Sequence, residues 1–442
     1  MTAGAAGQEG AAGQEGTAAG AAGKVSLFRN ARIVTPVDTG RPSAGAAQGR
    51  VASWDTGALL CREGRIVAAG DEAAVLGALG AEGRREIAEE HDCGGRCMIP
   101  GFVDAHTHLC FLSPREREFA ARLEGADYLQ ILAAGGGILS SVSSVRAASE
   151  DALCEATLRR ARSALGMGTT TMEIKSGYGL SMDAELKQLR AIRRVAREIP
   201  LAVVPTVLAA HAVPPEMRGR PEEYVQTAIQ VTRAAAREGL ARFADVFCEH
   251  GVFTVEQARR ILEAAKDCGL GVRLHADELS DGGGAALASE LHAASADHLL
   301  AASDDGLDAL ARAGVVAVLL PITAFSMRKP FARARAMVQH EVPVALATDC
   351  NPGSSCVESM PFAFGLSVLQ MGLTVHEALV GATLNGAYAL GLGAQAGSLT
   401  PGKRADFLLL DGETPAILAF RTGLSPVAEV YAGGRRVHPE AS

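Results

Sequence analysis

The chain has 442 residues, 48% of them hydrophobic and 21% charged, enough for one large domain with its own core and a smaller one beside it. A formal net charge of −8 argues against a nucleic-acid partner, which needs a basic face to displace phosphate counterions. No run reaches the roughly 18 unbroken apolar residues of a membrane span. The nine cysteines, with only Cys93 and Cys97 close together, fit reduced thiols in a cytoplasmic protein rather than a disulfide framework or a structural zinc knot.

Residues 1–24 are mostly Ala, Gly, Gln and Glu, with AAGQEG repeated in tandem at 5–16. Such a segment has nothing to bury against the entropy of ordering, so a disordered extension is expected. It lacks the basic start and apolar run of a secretory signal. From Val25 the character changes. Short β-branched or apolar runs at 26–34, 57–61 and 65–69, separated by Gly, Pro or Asp, predict strands of a small β-unit. Between them, 35–53 is rich in Gly, Ala, Ser and Pro and predicts a long loop.

After Pro100 the rhythm alternates. Strand-like runs fall at 101–106, 169–174, 202–209, 244–248, 271–275, 296–300, 315–320 and 342–348. Helix-like stretches lie between most of them, for instance at 182–197, 222–238, 255–268 and 304–312. Eight such units predict an α/β fold of the (β/α)8 TIM-barrel type; a doubly wound open sheet would give the same alternation. The connection at 107–168 is long and carries the triple glycine Gly135–Gly137 and a Ser-rich run at 140–144, features suited to a binding loop. Strand-like runs return at 405–410 and 428–431. Three parts are therefore expected: an extension at 1–24, a sandwich-like β-domain from both chain ends (25–98 and 395–442), and a barrel at 99–394.

The chemistry-bearing residues fall at the ends of these runs. In Asp104-Ala105-His106-Thr107-His108 the two histidines point to one face of a strand, about 6.5–7 Å apart along it, and converge on one ion if the strand end bends inward. His275 closes the fifth run, and Glu278 sits at the turn out of it. The pair Asp297-His298 ends the sixth run and Asp349 follows the eighth. The C-terminal strand ends of a barrel are where catalytic groups belong. Each feature alone is common, but ligand-type side chains at four separate strand ends are not. Three nitrogens and one carboxylate suit Zn²⁺, and Fe²⁺ or Mn²⁺ accept the same set. A metal-activated water with carboxylates and a histidine nearby points to hydrolysis; nothing offers hydride or phosphoryl transfer.

PGFVDAHTHL, then HADE, then a terminal TD, flanked by EGRIV at 63–67 and PGKRAD at 401–406, resembles the amidohydrolase superfamily. Further segments are similar to its imidazolonepropionase family: GTTTMEIKSGYGL at 168–180, AAHAVPPE at 209–216, DVFCE at 245–249 and ATDCNPGSS at 347–355. The resemblance covers nearly everything from Val25 onward. It implies one divalent metal ion, zinc or iron, held by His106, His108, His275 and Asp349. Catalysis would fall to Glu278, His298 and Asp349, with Asp349 helping to deprotonate water, His298 steadying the oxyanion and Glu278 relaying a proton to the ring nitrogen. The substrate would be held by Arg115, Tyr178, His211, Glu278, Asn351, Gly353 and Ser354. The implied reaction is hydrolysis of 4-imidazolone-5-propanoate to N-formimidoyl-L-glutamate in histidine degradation. A small-molecule substrate follows, with no nucleic-acid or membrane partner, and a homodimer is left open. One departure stands out: the approach to Arg115 reads Leu109-Cys110-Phe111-Leu112-Ser113-Pro114, where a small Gly- or Ala-rich run is expected. The alternative is an aromatic-ring deaminase of the cytosine or guanine type, which shares the metal set but has no use for a carboxylate clamp.

Overall fold

The computed structural model describes residues 24–125 and 136–439, so the tandem repeat and Gly135 lie outside the described residues. The strands in chain order begin with β1 Val25–Pro36, β2 Val51–Arg62, β3 Arg65–Asp71, β4 Ile87–Asp92 and β5 Cys97–Pro100. Three more come from the other end of the chain, β14 Phe407–Leu410, β15 Val427–Ala432 and β16 Arg435–His438. Together they form one sheet in the order β16-β15-β14-β5-β1-β2-β3, with β4 paired to β1. The two chain ends meet where β5 pairs antiparallel with β14.

Side chains alternate across this sheet as the strand period requires. Leu59 and Cys61 enter a core with Phe28, Ile33, Met98, Phe407 and Tyr431, whereas Ala58 and Leu60 join Val25, Leu27 and Val75. Phe407 stacks on Tyr431 at 4.5 Å, with Phe28 edge-on to both. The helix Glu72–Arg85 and strand β4 lie outside the expected elements. Three glycines interrupt the helix pattern and β4 reads IAEEHD, so neither carried an apolar period; Asp71 starts the helix by accepting from Ala74 N–H.

The remaining strands are β6 Phe102–Asp104, β7 Thr169–Lys175, β8 Ala202–Ala210, β9 Phe243–Cys248, β10 Gly271–Ala276, β11 Ser295–His298, β12 Val316–Leu319 and β13 Val344–Leu346. They pair in parallel and in sequential order. Just beyond the strand ends, Asp349 N–H donates to His106 O at 3.0 Å and His108 N–H to Cys350 O at 2.9 Å, which joins β13 to β6. The (β/α)8 barrel is therefore the architecture, and the open doubly wound sheet is not. Closure through residues 106–108 and 349–350 also brings the first and eighth strand ends together.

Two loop expectations need correction. The stretch 35–53 is partly strand, since β1 runs to Pro36 and β2 starts at Val51. Its middle is a buried strap: Asn385 Oδ1 accepts from Ser43 N–H, and Asn385 Nδ2 donates to Ser43 O and Gln48 Oε1. Gln48 Nε2 donates to Val344 O and its Oε1 accepts from Val344 N–H, so the strap sits at the N-terminal end of β13, away from the strand ends that carry the histidines. The connection 107–168 is largely helical, with helices Glu116–Leu123, Ile138–Ala147 and Glu150–Gly166, and the Ser-rich run lies within the second. All nine cysteines are free, and no described helix is long and apolar enough to cross a membrane.

Candidate active site

The C-terminal strand ends open into a cavity of about 790 Å³. His106, His108, His275 and Asp349 converge at its floor, all at most 3% exposed. His106 Nε2 and His108 Nε2 are 3.3 Å apart, and His108 Nε2 and His275 Nε2 are 3.1 Å apart. Asp349 Oδ1 lies 3.5 Å from His106 Nε2 and 3.6 Å from His108 Nε2, while its Oδ2 accepts from Thr323 Oγ1–H at 2.6 Å.

A divalent cation fits this donor set. His106 Nδ1 is 2.6 Å from Asp297 Oδ2, so that nitrogen carries the proton and Nε2 presents a lone pair. His275 Nδ1 stands 3.0 Å from Asp245 Oδ2, out of hydrogen-bond alignment, and the carboxylate's charge favours the proton on that nitrogen. Burial holds the His106 and His108 imidazoles well below their ordinary pKa, so both rings are neutral and each has one nitrogen to offer an ion. Donors bound to one ion at about 2.0–2.2 Å stand roughly 3.0–3.6 Å apart in tetrahedral geometry, the spacing seen here. His298 also approaches the cluster, lying with His106 and Asp349 in a second possible three-donor set.

The backbone at these strand ends is bent. Asp277, His298, Leu299 and Asp349 all have φ between 50° and 76°, a region that non-glycine residues seldom adopt and that turns the chain sharply as it leaves β10, β11 and β13. Glu278 follows the first of these bends, and its Oε2 stands 3.7 Å from His298 Nε2.

Arg115, Tyr178, His211, Asn351, Gly353 and Ser354 line the same cavity as Glu278 and His298. The unexpected approach to Arg115 is buried over Leu109–Phe111: Arg160 donates to Phe111 O and Leu112 O, and its guanidinium sits 3.4 Å over the Phe111 ring. Arg115 N–H then donates to Pro352 O at 2.7 Å, tying the first-strand loop to the eighth-strand loop. Its Nε and Nη1 find no hydrogen-bond partner among the described residues, and Glu118 stands 3.6 Å from Nε. His211 Nδ1 is 3.0 Å from Gly177 O, so it donates there and leaves Nε2 as an acceptor; burial pulls its pKa down to about 3, keeping the ring neutral. The Asn351 side chain shapes the loop itself, its Oδ1 accepting from Gly353 and Ser354 N–H and its Nδ2 donating to Asp349 O. Every expected site residue is thus at this one barrel mouth.

What sequence reasoning did not assign lies underneath. Glu173, Lys175, Asp245, Arg273 and Asp297 are at most 2% exposed inside the barrel. Burial opposes ionisation of Asp245, yet the adjacent His275 imidazole and the Lys175 ammonium hold its carboxyl well below the usual range. A signal was available: parallel barrel strands are covered on both faces, so a charged residue within such a run cannot be solvated and must have a buried partner.

An amidohydrolase family model matches residues 97–437. An imidazolonepropionase of Desulfotalea psychrophila is 58% identical over 413 residues, covering 93% of this chain and 99% of that protein. The imidazolonepropionases of Syntrophobacter fumaroxidans and Bacillus velezensis are 56% and 41% identical, covering 92% and 93% of this chain and 95% and 96% of theirs. Among solved structures, a triazine hydrolase variant superposes with a TM-score of 0.70 at 19% identity, covering 93% of this chain and 94% of the other. E. coli guanine deaminase gives 0.65 at 16% identity, covering 93% of this chain and 99% of the other, so both likenesses are to the fold. By this identity and coverage the chain belongs to the amidohydrolase family and, within it, to the imidazolonepropionases.

Proposed function

We propose that the chain hydrolyses the ring amide of 4-imidazolone-5-propanoate to N-formimidoyl-L-glutamate, using one divalent cation, zinc or iron, held by His106, His108, His275 and Asp349. The observation that carries the reading is that a buried three-nitrogen, one-carboxylate cluster shares one cavity with an Arg115 guanidinium whose Nε and Nη1 have no hydrogen-bond partner among the described residues. When bound, such a cation acidifies water and polarises a carbonyl oxygen.

The chain's own groups do the rest. Arg115 takes the propionate carboxylate, a charge-assisted contact worth roughly 1.5–3 kcal/mol. His211 Nε2 accepts a ring N–H, since its Nδ1 proton already goes to Gly177 O. Tyr178, whose ring centroid is 5.3 Å from that of His211, packs beside the bound ring, and Asn351 holds Gly353 and Ser354 around the carboxylate end. Asp349 Oδ1 accepts the proton of the attacking water, while Thr323 keeps its other oxygen occupied. His298 steadies the negative charge that develops on the carbonyl oxygen. Glu278 relays the water's proton to the ring nitrogen as the C–N bond breaks, and the ring opens with the new carboxylate and the formimidoyl group on one molecule. The net charge of −8 argues against a nucleic-acid partner.

Metal analysis of the purified protein with turnover of imidazolone propionate tests the reading. Ring opening without ammonia release, lost on chelation and restored by Zn²⁺ or Fe²⁺, is the expected result. Ammonia release from a cytosine- or guanine-type ring would overturn it in favour of a deaminase.

A further inference from the structure

The five buried charges beneath the donor cluster take no part in the chemistry above. Lys175 Nζ lies 2.8 Å from Glu173 Oε1, 2.7 Å from Asp245 Oδ2 and 3.9 Å from Asp297 Oδ2. Arg273 Nη2 is 3.0 Å from Asp297 Oδ2 and donates to Ala105 O at 2.6 Å. Thr206 Oγ1 donates to Glu173 Oε1 at 2.5 Å. Of the three carboxylates that Lys175 approaches, Asp245 and Asp297 are the ones that stand behind His275 and His106.

Stability does not account for this arrangement. Buried ion clusters are desolvated at large cost, and well-packed apolar side chains of similar volume commonly serve a fold as well or better. The neighbouring barrel-interior positions are apolar enough to show that the fold has that option: Val103, Ala105, Val204, Val316 and Val318 form one buried cluster. Among its contacts, the ionic layer reaches the Nδ1 atoms of two of the donor histidines. Three carboxylates against two cations also leave one negative charge directly beneath four donors aimed at a common point.

We infer that Lys175 is a positioning residue: its ammonium ties Asp245 to Asp297 and, through them, fixes the ring orientation and the Nδ1–H tautomer of His275 and His106, thereby setting the affinity of the site for a divalent cation. Without it Asp245 loses its ammonium partner and is free to turn away from His275, while Asp297 keeps Arg273 alone and faces an uncompensated carboxylate. Arg273 cannot replace it, because its hydrogen bond reaches Asp297 and not Asp245. The inference rests on the reading that these histidines hold the cation, and the test separates the two.

Lys175→Met alone strands buried carboxylates and risks misfolding, so the charge-neutral pair Lys175→Met/Glu173→Gln is used, which removes one charge of each sign. Metal-free wild type, the double variant, Asp245→Asn and His275→Ala are titrated with Co²⁺ alone, followed by visible absorption and chelator competition, with thermal unfolding as a check on the fold. The double variant and Asp245→Asn are expected to bind Co²⁺ roughly 10- to 100-fold more weakly than wild type, with an altered ligand-field spectrum. If wild type takes up no Co²⁺, or His275→Ala binds it as well as wild type, the ligand assignment itself is overturned. If wild type binds, His275→Ala is weakened, and the folded double variant matches wild type in affinity and spectrum, the ligand assignment stands and the role of Lys175 is refuted. Should the double variant not fold, wild-type affinity in Asp245→Asn refutes it equally.

Discussion

Gly353 offers a direct test of how Arg115 is held. A Cβ added there would stand 1.6 Å from Arg115 Nη2 and 2.5 Å from Cζ. A carbon needs roughly 3.5 Å from such an atom, so Gly353→Ala forces the guanidinium back by about 2 Å. The Arg115 backbone cannot absorb the shift, since its N–H is tied to Pro352 O and the helix Glu116–Leu123 begins at the next residue. Gly353 lies outside the left-handed region, so alanine meets no backbone strain and the effect is confined to the clash. A guanidinium–carboxylate bond stretched by about 2 Å is no longer a hydrogen bond, and roughly 1.5–3 kcal/mol of substrate binding is lost. KM for imidazolone propionate should rise roughly 10- to 150-fold with kcat nearly unchanged. In an Arg115→Met background the same glycine change should be almost silent. Steady-state kinetics on the four proteins of this cycle decides it: an unchanged KM in Gly353→Ala, or the same rise with and without Arg115, refutes the steric seat.

Three further outcomes follow from other parts of the molecule. Glu278→Gln should lower kcat by roughly 10²- to 10⁴-fold while bound metal, measured by elemental analysis, stays at the wild-type level; an undiminished rate removes Glu278 from proton transfer. Asn385→Ala strands buried groups of Ser43, Gln48 and Val344 at the end of the barrel away from the site, and should cost about 1–3 kcal/mol in denaturant unfolding with kcat/KM unchanged. An altered kcat/KM would show that the strap communicates with the mouth. Glu377 is held below the usual carboxylate range: burial alone would raise it, but Arg335 and the Thr374 cap outweigh that. Its contribution to stability is therefore complete above the unfolded value of about 4.3 and fades as pH falls through the lower folded value. Glu377→Gln should be less stable than wild type at neutral pH and converge with it below that range; a pH-independent gap would refute the charge pairing.

The barrel was legible because its strands are covered on both faces and so read as apolar runs, with Gly, Asp or helix starts between them. The same logic failed where an element is half exposed or tied by polar groups. Strand β4 shows only Ile87 and Ala88 as apolar residues, adjacent rather than alternating, in IAEEHD, and the helix before it carries glycines at 77, 80 and 83. The 35–53 segment looked like a free loop because its anchors, Ser43 and Gln48, are polar; what buries them is Asn385, more than 330 residues away in the chain. No local period encodes such a contact.

The site divided along a similar line. His106, His108, His275, His298 and Asp349 stood out because each ends a run that is otherwise apolar, and Glu278 because it follows His275 directly. Arg115, in contrast, sits in the charged run Arg115-Glu116-Arg117-Glu118, where composition describes a solvated helix start. Its orientation comes instead from Arg160 pinning the Leu109–Leu112 turn and from the absence of a side chain at Gly353. The charged layer under the histidines is the most informative omission. Glu173 and Lys175, two apart on β7, share the inward face that Asp245, Arg273 and Asp297 take on β9, β10 and β11, so the residues that orient the donors repeat the strand period of the donors themselves. A charge on the inward face of a barrel strand is a demand for a partner across the barrel. Pairing such demands, strand by strand, is how a sequence could have named the carboxylates behind His106 and His275 before any coordinates placed them there.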